Sequence, residues 1–389
     1  MKVRSLIVGL YLCFGFVPGF AQTDNLTVDV FRRFGRQLLD SNAVPFMQPL
    51  VTSINATSNA RFFNQAFVPK KVKSPYFRFG IHTMVGFVRD DQKTYRPSLP
   101  TDGNPFTALT YLNNKDTAGA ITELLKYVFA RGQATGEITL PTEAATIFGN
   151  KRQAIPFQRE VLKRIVQNDV LYQTLPESTR ALVDSAFNRL PANTQFDLPP
   201  GQDMRYLVAA VPQFEIGSLF GTELLVRFIP PLELDTNVGK FAFWGVGLKH
   251  SLTQYFEEAP FDAAVQAVYQ GTSLENTVGE TGASLKANGT IWNVNLHASK
   301  HFEGIVDIFT GFAFENIRID ADYTYVLPAQ VQRDLGIVDN SPQTSPQIFK
   351  DTNYKWVIGL SRQFGPIAIF ADYSVSKFNI FSGGIEARF

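Results

Sequence analysis

The sequence has almost no cysteine, since its 389 residues include only Cys13. Cys13 stands between Leu12 and Phe14 inside an apolar stretch, whereas a lipoprotein carries its cysteine at the cleavage point, after a small residue. We therefore exclude lipidation. Residues 1–21 read as a secretory signal, so the exported chain would contain no cysteine. This excludes a disulfide framework, a thiolate metal site and a cysteine nucleophile.

The predicted signal has the three parts that export requires. Lys2 and Arg4 form a positively charged start, residues 6–16 form an apolar core, and small residues precede Gln22. The apolar core is too short and has the wrong flanking residues for a membrane-spanning helix. We predict that residues 1–21 are removed and that the protein is exported.

Long apolar runs and an excess of charge are also missing. The net charge is +1 and 18% of the residues are charged, which gives no reason to expect a nucleic-acid partner. No run of 18 apolar residues follows residue 21, which argues against a helical inner-membrane protein. Yet the chain has 35 Phe and 13 Tyr at a mean hydropathy of −0.04. Many aromatics at average hydropathy are typical of a membrane β-barrel, in which lipid-facing residues alternate with polar ones.

Motifs for chemistry are scarce. The chain has four histidines, and His297 and His301 share one strand face about 13 Å apart, too far to bind one metal ion in a straight strand. His297 and Ser299 share a strand face but lack an evident third partner for nucleophilic catalysis. No glycine loop precedes a helix as a phosphate site requires. We therefore predict no catalytic residues, no cofactor and no metal, and classify the protein as a non-enzyme.

The last ten residues read as a strand that ends at the C-terminus. Phe381, Ile385 and Phe389 share one face, whereas Ser382 and Glu386 share the other. A soluble protein would expose this strand as an apolar edge, but a closed membrane barrel has no edge. A final aromatic resembles the C-terminal signature of bacterial outer-membrane barrels. That resemblance implies contact with the barrel-assembly machinery and outer-membrane lipid, with Phe381, Ile385 and Phe389 facing lipid.

Alternation of apolar and polar residues predicts an all-β fold, a transmembrane antiparallel β-barrel of about ten strands within a range of 8 to 14. The predicted strands are 76–88, 206–217, 219–230, 239–251, 260–272, 283–299, 303–320, 351–363, 366–377 and 379–389. Long connections follow the first, third, fifth and seventh strands, and tight turns follow the second, sixth and eighth. That parity predicts a barrel whose N-terminus is periplasmic, and a closing pair between 379–389 and 76–88.

Two segments outside the strands are expected to be helical. In residues 22–75, apolar residues at 28, 31, 34, 38 and 39 predict a short amphipathic helix that either plugs the lumen or covers a barrel end at the periplasmic side. Residues 89–205 interrupt the barrel of 76–389 as an extracellular insertion with helical patches at 118–131 and 157–190, the second broken at Pro176. The insertion is either a small helical cap or a partly disordered loop.

Eight polar residues occupy predicted inward positions: Arg78, His82, Glu223, Arg227, Asn293, Asn295, His297 and Glu386. Together with Lys249, the charged members of this set could select solutes. They could equally form salt bridges that fill a narrow interior. A barrel of ten strands is expected to be largely filled, because its size lies between the packed eight-stranded barrels and the open 16-stranded porins.

Three motifs support a family comparison: P-Q-F-E-I-G-S-L-F-G-T-E-L-L-V-R-F-I-P at 212–230, G-V-G-L-K-H-S-L-T-Q-Y at 245–255 and P-F-D-A-A-V-Q at 260–266. They resemble an uncharacterised outer-membrane barrel family of Gram-negative bacteria, over residues 40–389. The N-terminal segment and the Pro-Gln strand also resemble, more faintly, the long-chain fatty-acid transporter barrels. These resemblances imply passive transport or binding of small or hydrophobic solutes in the outer membrane. The alternative is a structural or partner-binding barrel without an open pore.

Overall fold

The structure, a computed structural model, describes residues 25–70, 72, 74–188, 192–198, 201–235, 239–278, 283–303, 305–325 and 343–389. The predicted signal at 1–21 lies outside these residues. Among the described residues, no helix combines the length and the hydropathy that crossing a membrane demands.

The chain forms fourteen strands within the described residues, of which ten build one closed antiparallel barrel. In chain order they are β1 Tyr76–Phe87, β2 Thr94–Tyr95, β3 Ala144–Ala145, β4 Ala154–Gln158, β5 Asn193–Asp197, β6 Tyr206–Leu219, β7 Thr222–Asp235, β8 Gly239–Ser251, β9 Asp262–Val278, β10 Ala283–Phe302, β11 Val306–Tyr325, β12 Gln343–Phe364, β13 Ile367–Val375 and β14 Ile380–Arg388. The barrel consists of β1 and β6–β14. The pairs β2–β3 and β4–β5 form two small sheets in the insertion. The predicted antiparallel barrel of ten strands is confirmed.

The first and last strands close the barrel. β1 pairs with β14 from Arg78 opposite Arg388 to Gly86 opposite Ile380, and with β6 on its other side. Beyond the strand end, Phe77 and Phe389 exchange two backbone hydrogen bonds of 3.1 and 2.8 Å. The predicted pairing of the C-terminal strand with the strand at 76–88 is confirmed.

Strand alternation separates an apolar outer surface from a polar interior. In β1, Phe77, Phe79 and Ile81 are exposed on the outside, whereas Arg78 and His82 on the other face are buried inside. A strand turns successive side chains to opposite faces, so the sequence pattern fixes which residues enter the lumen.

The predicted long loops after the third and fifth barrel strands are wrong. β7 continues to Asp235 and β8 begins at Gly239, while β9 continues to Val278 and β10 begins at Ala283. Likewise β11 ends at Tyr325 and β12 starts at Gln343, well inside the predicted loop between strands seven and eight. These extensions carry polar residues on their outer face, such as Glu275 and Lys350, and therefore read as loop in a hydropathy pattern.

The N-terminal helix is much longer than the short one predicted. It is one helix, α1, Asn25–Ser58, of 34 residues, with Pro45 and Pro49 inside it. A helix of this length extends about 51 Å. Its first turns lie beside the insertion and its last turns lie inside the barrel, so it does not merely cover a barrel end.

The insertion folds as a helical cap in its described part. Its helices are α2 Pro105–Asn113, α3 Thr117–Thr135, α4 Arg159–Gln167, α5 Val170–Thr174 and α6 Glu177–Asn188. α3 begins where the Asp116 carboxylate accepts a hydrogen bond of 2.9 Å from the Gly119 N–H, and it ends at Gly136, whose φ of 76° favours glycine. Pro176 separates α5 from α6, as predicted. Val30, Phe34 and Leu38 of α1 pack into the same apolar core as α3.

Candidate functional site: the filled lumen and the apolar outer belt

The end of α1 is held in the lumen by two buried cations of the wall. The Arg227 guanidinium donates hydrogen bonds of 2.9 Å to the Ser58 carbonyl and 2.7 Å to the Ala60 carbonyl. Lys355 Nζ donates to the carbonyls of Ala56 and Asn59 at 3.2 and 3.0 Å. The last carbonyls of a helix lack helical partners and carry partial negative charge, so buried cations stabilise them.

Arg227 also connects the helix end to neighbouring wall residues. Its Nε donates to Gln213 Oε1 at 2.7 Å, and its guanidinium lies 4.0 Å from the centre of the Phe62 ring. These contacts satisfy a charged group that is only 1% exposed. A buried charge without such partners would be costly.

Immediately after the helix, Arg61 binds the opposite side of the wall. Its backbone φ of 65° is unusual for a residue other than glycine, and its guanidinium forms a 2.5 Å ion pair with Asp372. It also lies 3.4 Å from the centre of the Phe370 ring and donates to His82 Nδ1 at 3.4 Å. Such a backbone conformation persists where surrounding contacts stabilise it.

A second ionic cluster fills the end of the barrel at which β1 begins. Arg78 pairs with Glu223, with Glu215 at 3.2 Å and with Glu386 at 3.8 Å. Lys249 pairs with Glu223 at 2.5 Å and donates to Asn64 Oδ1 at 2.8 Å. Residues that follow α1 thereby join the ion pairs of the wall.

A third polar cluster surrounds the last turns of α1. Lys355 pairs with Glu315 at 2.5 Å, and Glu315 accepts from Asn353 at 2.7 Å and from Asn293 at 3.3 Å. Asn55 of the helix donates to the Asp351 carboxylate at 3.0 Å.

Asn295 extends this third cluster along β10. It donates to Asn293 Oδ1 at 2.8 Å, and its own Oδ1 lies 3.0 Å from His297 Nδ1. The Phe63 ring contacts the His297 ring edge-on, with 5.5 Å between centroids.

The structure places all eight predicted lumen residues inside the barrel, and each residue is at most 6% exposed. Arg78, Glu223 and Glu386 meet in one cluster. Asn293, Asn295 and His297 are linked along β10, whereas Arg227 and His82 contact residues at and just after the end of α1. These residues pair with one another or with residues 55–64, an arrangement that fills the interior.

Several lumen residues are missing from the sequence prediction. Glu215, Glu315 and Asp372 occupy inward positions of their strands, so strand alternation could have revealed them. Arg61 had no such signal, because it follows a helix and contacts residues remote in the chain. The described part of the chain groups no three His, Asp or Glu side chains in a metal-binding arrangement.

The outer face carries a continuous apolar belt. Phe381, Ile385 and Phe389 point outward and are 50%, 57% and 76% exposed. Aromatic rings form a row across β8–β12: Trp244 contacts Tyr269, and Phe314 contacts both Trp292 and Tyr354, at centroid distances of 5.7, 5.0 and 5.1 Å. Beyond this row the outward residues are polar, as at Arg318 and Lys350.

A second aromatic level lies at the end of the barrel that carries the tight turns. In three strands, aromatics of the two levels stand ten residues apart: Phe77 and Phe87, Trp292 and Phe302, and Tyr354 and Phe364. Ten residues span about 33 Å along a strand, and a strand tilted by about 40° therefore crosses about 25 Å. That height equals the apolar band of outer-membrane barrels.

Comparison with known proteins bears on family membership. No curated protein matches the chain. A solved structure described as "Asymmetric conductivity of engineered proteins" is 10% identical, covering 81% of this chain and 100% of its own, with a TM-score of 0.13. The resemblance seen over residues 40–389 extends further, because one family model matches residues 1–389. The chain belongs to the family of unknown function DUF6588.

Proposed function

We propose that the protein is an outer-membrane β-barrel without an open pore, with a structural or partner-binding role. The observation that carries this function is the hydrogen-bonded occupation of the lumen by residues 55–66, which reach wall residues on β6, β7, β8, β10, β12 and β13. Ion permeation needs a continuous water path, and buried, paired side chains fill the space that such a path would require.

The outer belt supports the membrane location. Its exposed apolar residues would be an aggregation hazard in water but are suited to lipid, and the two aromatic levels match the two interfaces of a bilayer. In this orientation the tight turns and Phe389 face the periplasm, and the cap formed by the insertion of residues 89–205 faces outward. The cap is then the surface that a partner meets first.

Passive transport of small or hydrophobic solutes through the barrel axis is the less favoured function. It would require residues 55–66 to leave the lumen and the buried cations Arg227 and Lys355 to lose their carbonyl partners. If these two cations became exposed they could be hydrated again, but the loss of a partner from a buried charge costs stability.

Conductance in planar lipid bilayers tests the proposal. We expect no steady current steps from the full protein, and steps from a variant that lacks residues 25–66, provided that its barrel still migrates as heat-modifiable protein. Lys286→Ala is a matched control, because it breaks an exposed ion pair with Glu275 on the outer face and leaves the lumen unchanged. Steady conductance by the full protein would contradict the closed barrel.

A further inference from the structure

The barrel wall is split between β6 and β7 over part of its height. β6 pairs with β1 from Tyr206 to Gly217, but its described pairing with β7 begins only at Gln213, opposite Arg227. Above this point β7 pairs with β8 alone, with register shifts after Ile229. The described residues 206–212 therefore have a ladder partner on one side only, over about 23 Å of strand. We call this split the window.

Prolines explain why the two strands part here. Pro212 is the first β6 residue beyond the last pair, and Pro230 and Pro231 lie at the bulge of β7. Proline cannot donate to a β-ladder, so these residues end the pairing and reduce the number of unpaired N–H groups at the edges. A peptide strand would fit poorly between such edges, because strand addition uses N–H donors from both partners.

The outer border of the window is apolar. Val208 of β6 and Phe228 of β7 are 54% and 57% exposed on the outer surface, and Phe228 lies opposite Trp244 of the aromatic row. On the outer surface the window therefore lies within the apolar belt, at the height of the aromatic row.

The inner side of the window is also apolar. Leu207 and Val211 of β6, Phe243 of β8 and Val51 of α1 belong to one apolar layer inside the barrel. Ile229 packs against this layer, lies at the edge of the window and is only half-buried although it points inward. Apolar residues thus border the window both on the outer belt and in the barrel interior.

The floor of this layer is polar. Gln213 and Arg227 form both the last strand pair below the window and a side-chain hydrogen bond of 2.7 Å. Below them lie the ionic clusters of the lumen. An apolar molecule that entered through the window would be stopped at this level, because burying it against paired charges gains no hydrophobic free energy.

We propose that the window admits the acyl chain of a membrane lipid or a free fatty acid from the outer half of the bilayer into the apolar layer. This inference rests on the proposed membrane location and adds a ligand class to the closed barrel. The lining residues named above on β6, β7 and β8 offer methyl, methylene and aromatic groups, so a long hydrocarbon chain fits their chemistry, whereas a polar solute would lose its hydration without replacement.

Photocrosslinking tests the window in the full protein. p-Benzoylphenylalanine replaces Phe243 in the apolar layer, or Phe309, which is 1% exposed and lies in the separate cluster below the floor, or Phe312, which is 68% exposed on the outer belt. Each variant is folded into vesicles of dioleoyl phosphatidylethanolamine and phosphatidylglycerol, with or without oleic acid, and irradiated. We expect a mass shift equal to one lipid at Phe243 and Phe312, and no shift at Phe309.

The mass of the adduct identifies its source, since phospholipid and oleic acid differ, and either one supports the proposal. A second variant at Ile229 guards against disturbed packing at Phe243. Adducts at Phe312 without any at Phe243 or Ile229 would overturn the window while leaving the membrane location intact. A folded protein without an adduct at Phe312 would overturn the membrane location itself.

Discussion

Arg61 is the residue on which the lumen contacts converge after α1 ends. It has a left-handed backbone conformation, an ion pair with Asp372 and a stacking contact with Phe370, all in a buried setting. Nothing in the local sequence signals this role, because the partners lie about three hundred residues away. Strand alternation alone could predict that Asp372 faces inward, but not which cation it meets.

Breaking this ion pair is expected to destabilise the protein strongly. Asp372→Asn or Arg61→Met leaves one buried charge without its partner, which costs about 3–5 kcal/mol of unfolding free energy. The double variant should lose less than the sum of the two single losses, because no unpaired charge remains. Urea titration followed by tryptophan emission measures these values. The control Arg318→Met removes an exposed pair with Asp320 and should change stability by less than about 0.5 kcal/mol.

At the scale of elements, period-two alternation was sufficient to predict the barrel and its closing pair. It failed where strands rise beyond the apolar belt, as in β9–β12, because their outward residues there are polar, such as Glu275 and Lys350, and no longer form an apolar face. It also underestimated α1, because the buried face of its second half mixes apolar residues such as Val51 with Asn, Ser and Thr, and the apolar periodicity is therefore interrupted. Asn55 and Asn59 are both fully buried.

The start of α3 links the cap to the N-terminal helix. The Asp116 carboxylate accepts the Gly119 N–H and pairs with Arg33 of α1 at 2.8 Å. Burial by itself would raise the pKa of Asp116, but these two contacts outweigh it and hold the pKa below its usual range. Because the folded-state pKa is lowered, the stabilisation is present above the unfolded pKa of about 3.9 and is lost as the pH falls through the folded value.

Asp116→Ala should destabilise the cap by about 1 kcal/mol through loss of the helix cap. Hydrogen exchange of the amides in the first turn of α3 measures the effect, and the acid sensitivity of those amides should diminish with it. Asp116→Asn is the matched comparison: it keeps an acceptor for Gly119 and should retain most of the stability without the acid dependence. Equal exchange in all three proteins would refute this role.

At the scale of the whole molecule, closure depends on the last residue. The backbone of Phe389 forms two hydrogen bonds with Phe77, and its ring belongs to the aromatic level at the tight turns. At the proposed membrane location, deletion of Phe389 should therefore impair assembly of the barrel more than it alters any binding activity.

The fraction of heat-modifiable barrel recovered from membranes measures this effect. Phe389→Tyr, which keeps the backbone bonds and an aromatic ring, should assemble normally. A normal yield after deletion of Phe389 would contradict the importance of the closing pair.

The course of α1 has a consequence for the order of events in folding. Helix α1 begins beside the cap, the segment that follows it continues through the lumen, and only then does the first strand of the wall begin at Tyr76. Since β1 and β14 are the first and last barrel strands, the ring cannot be completed before the C-terminus arrives. Helix α1 must therefore be surrounded by the wall while β1 and β14 pair, or it must enter the closed barrel afterwards from the end that carries the cap. A helix that is enclosed in this way acts as a template. Each strand then takes its register while it contacts the side chains of α1.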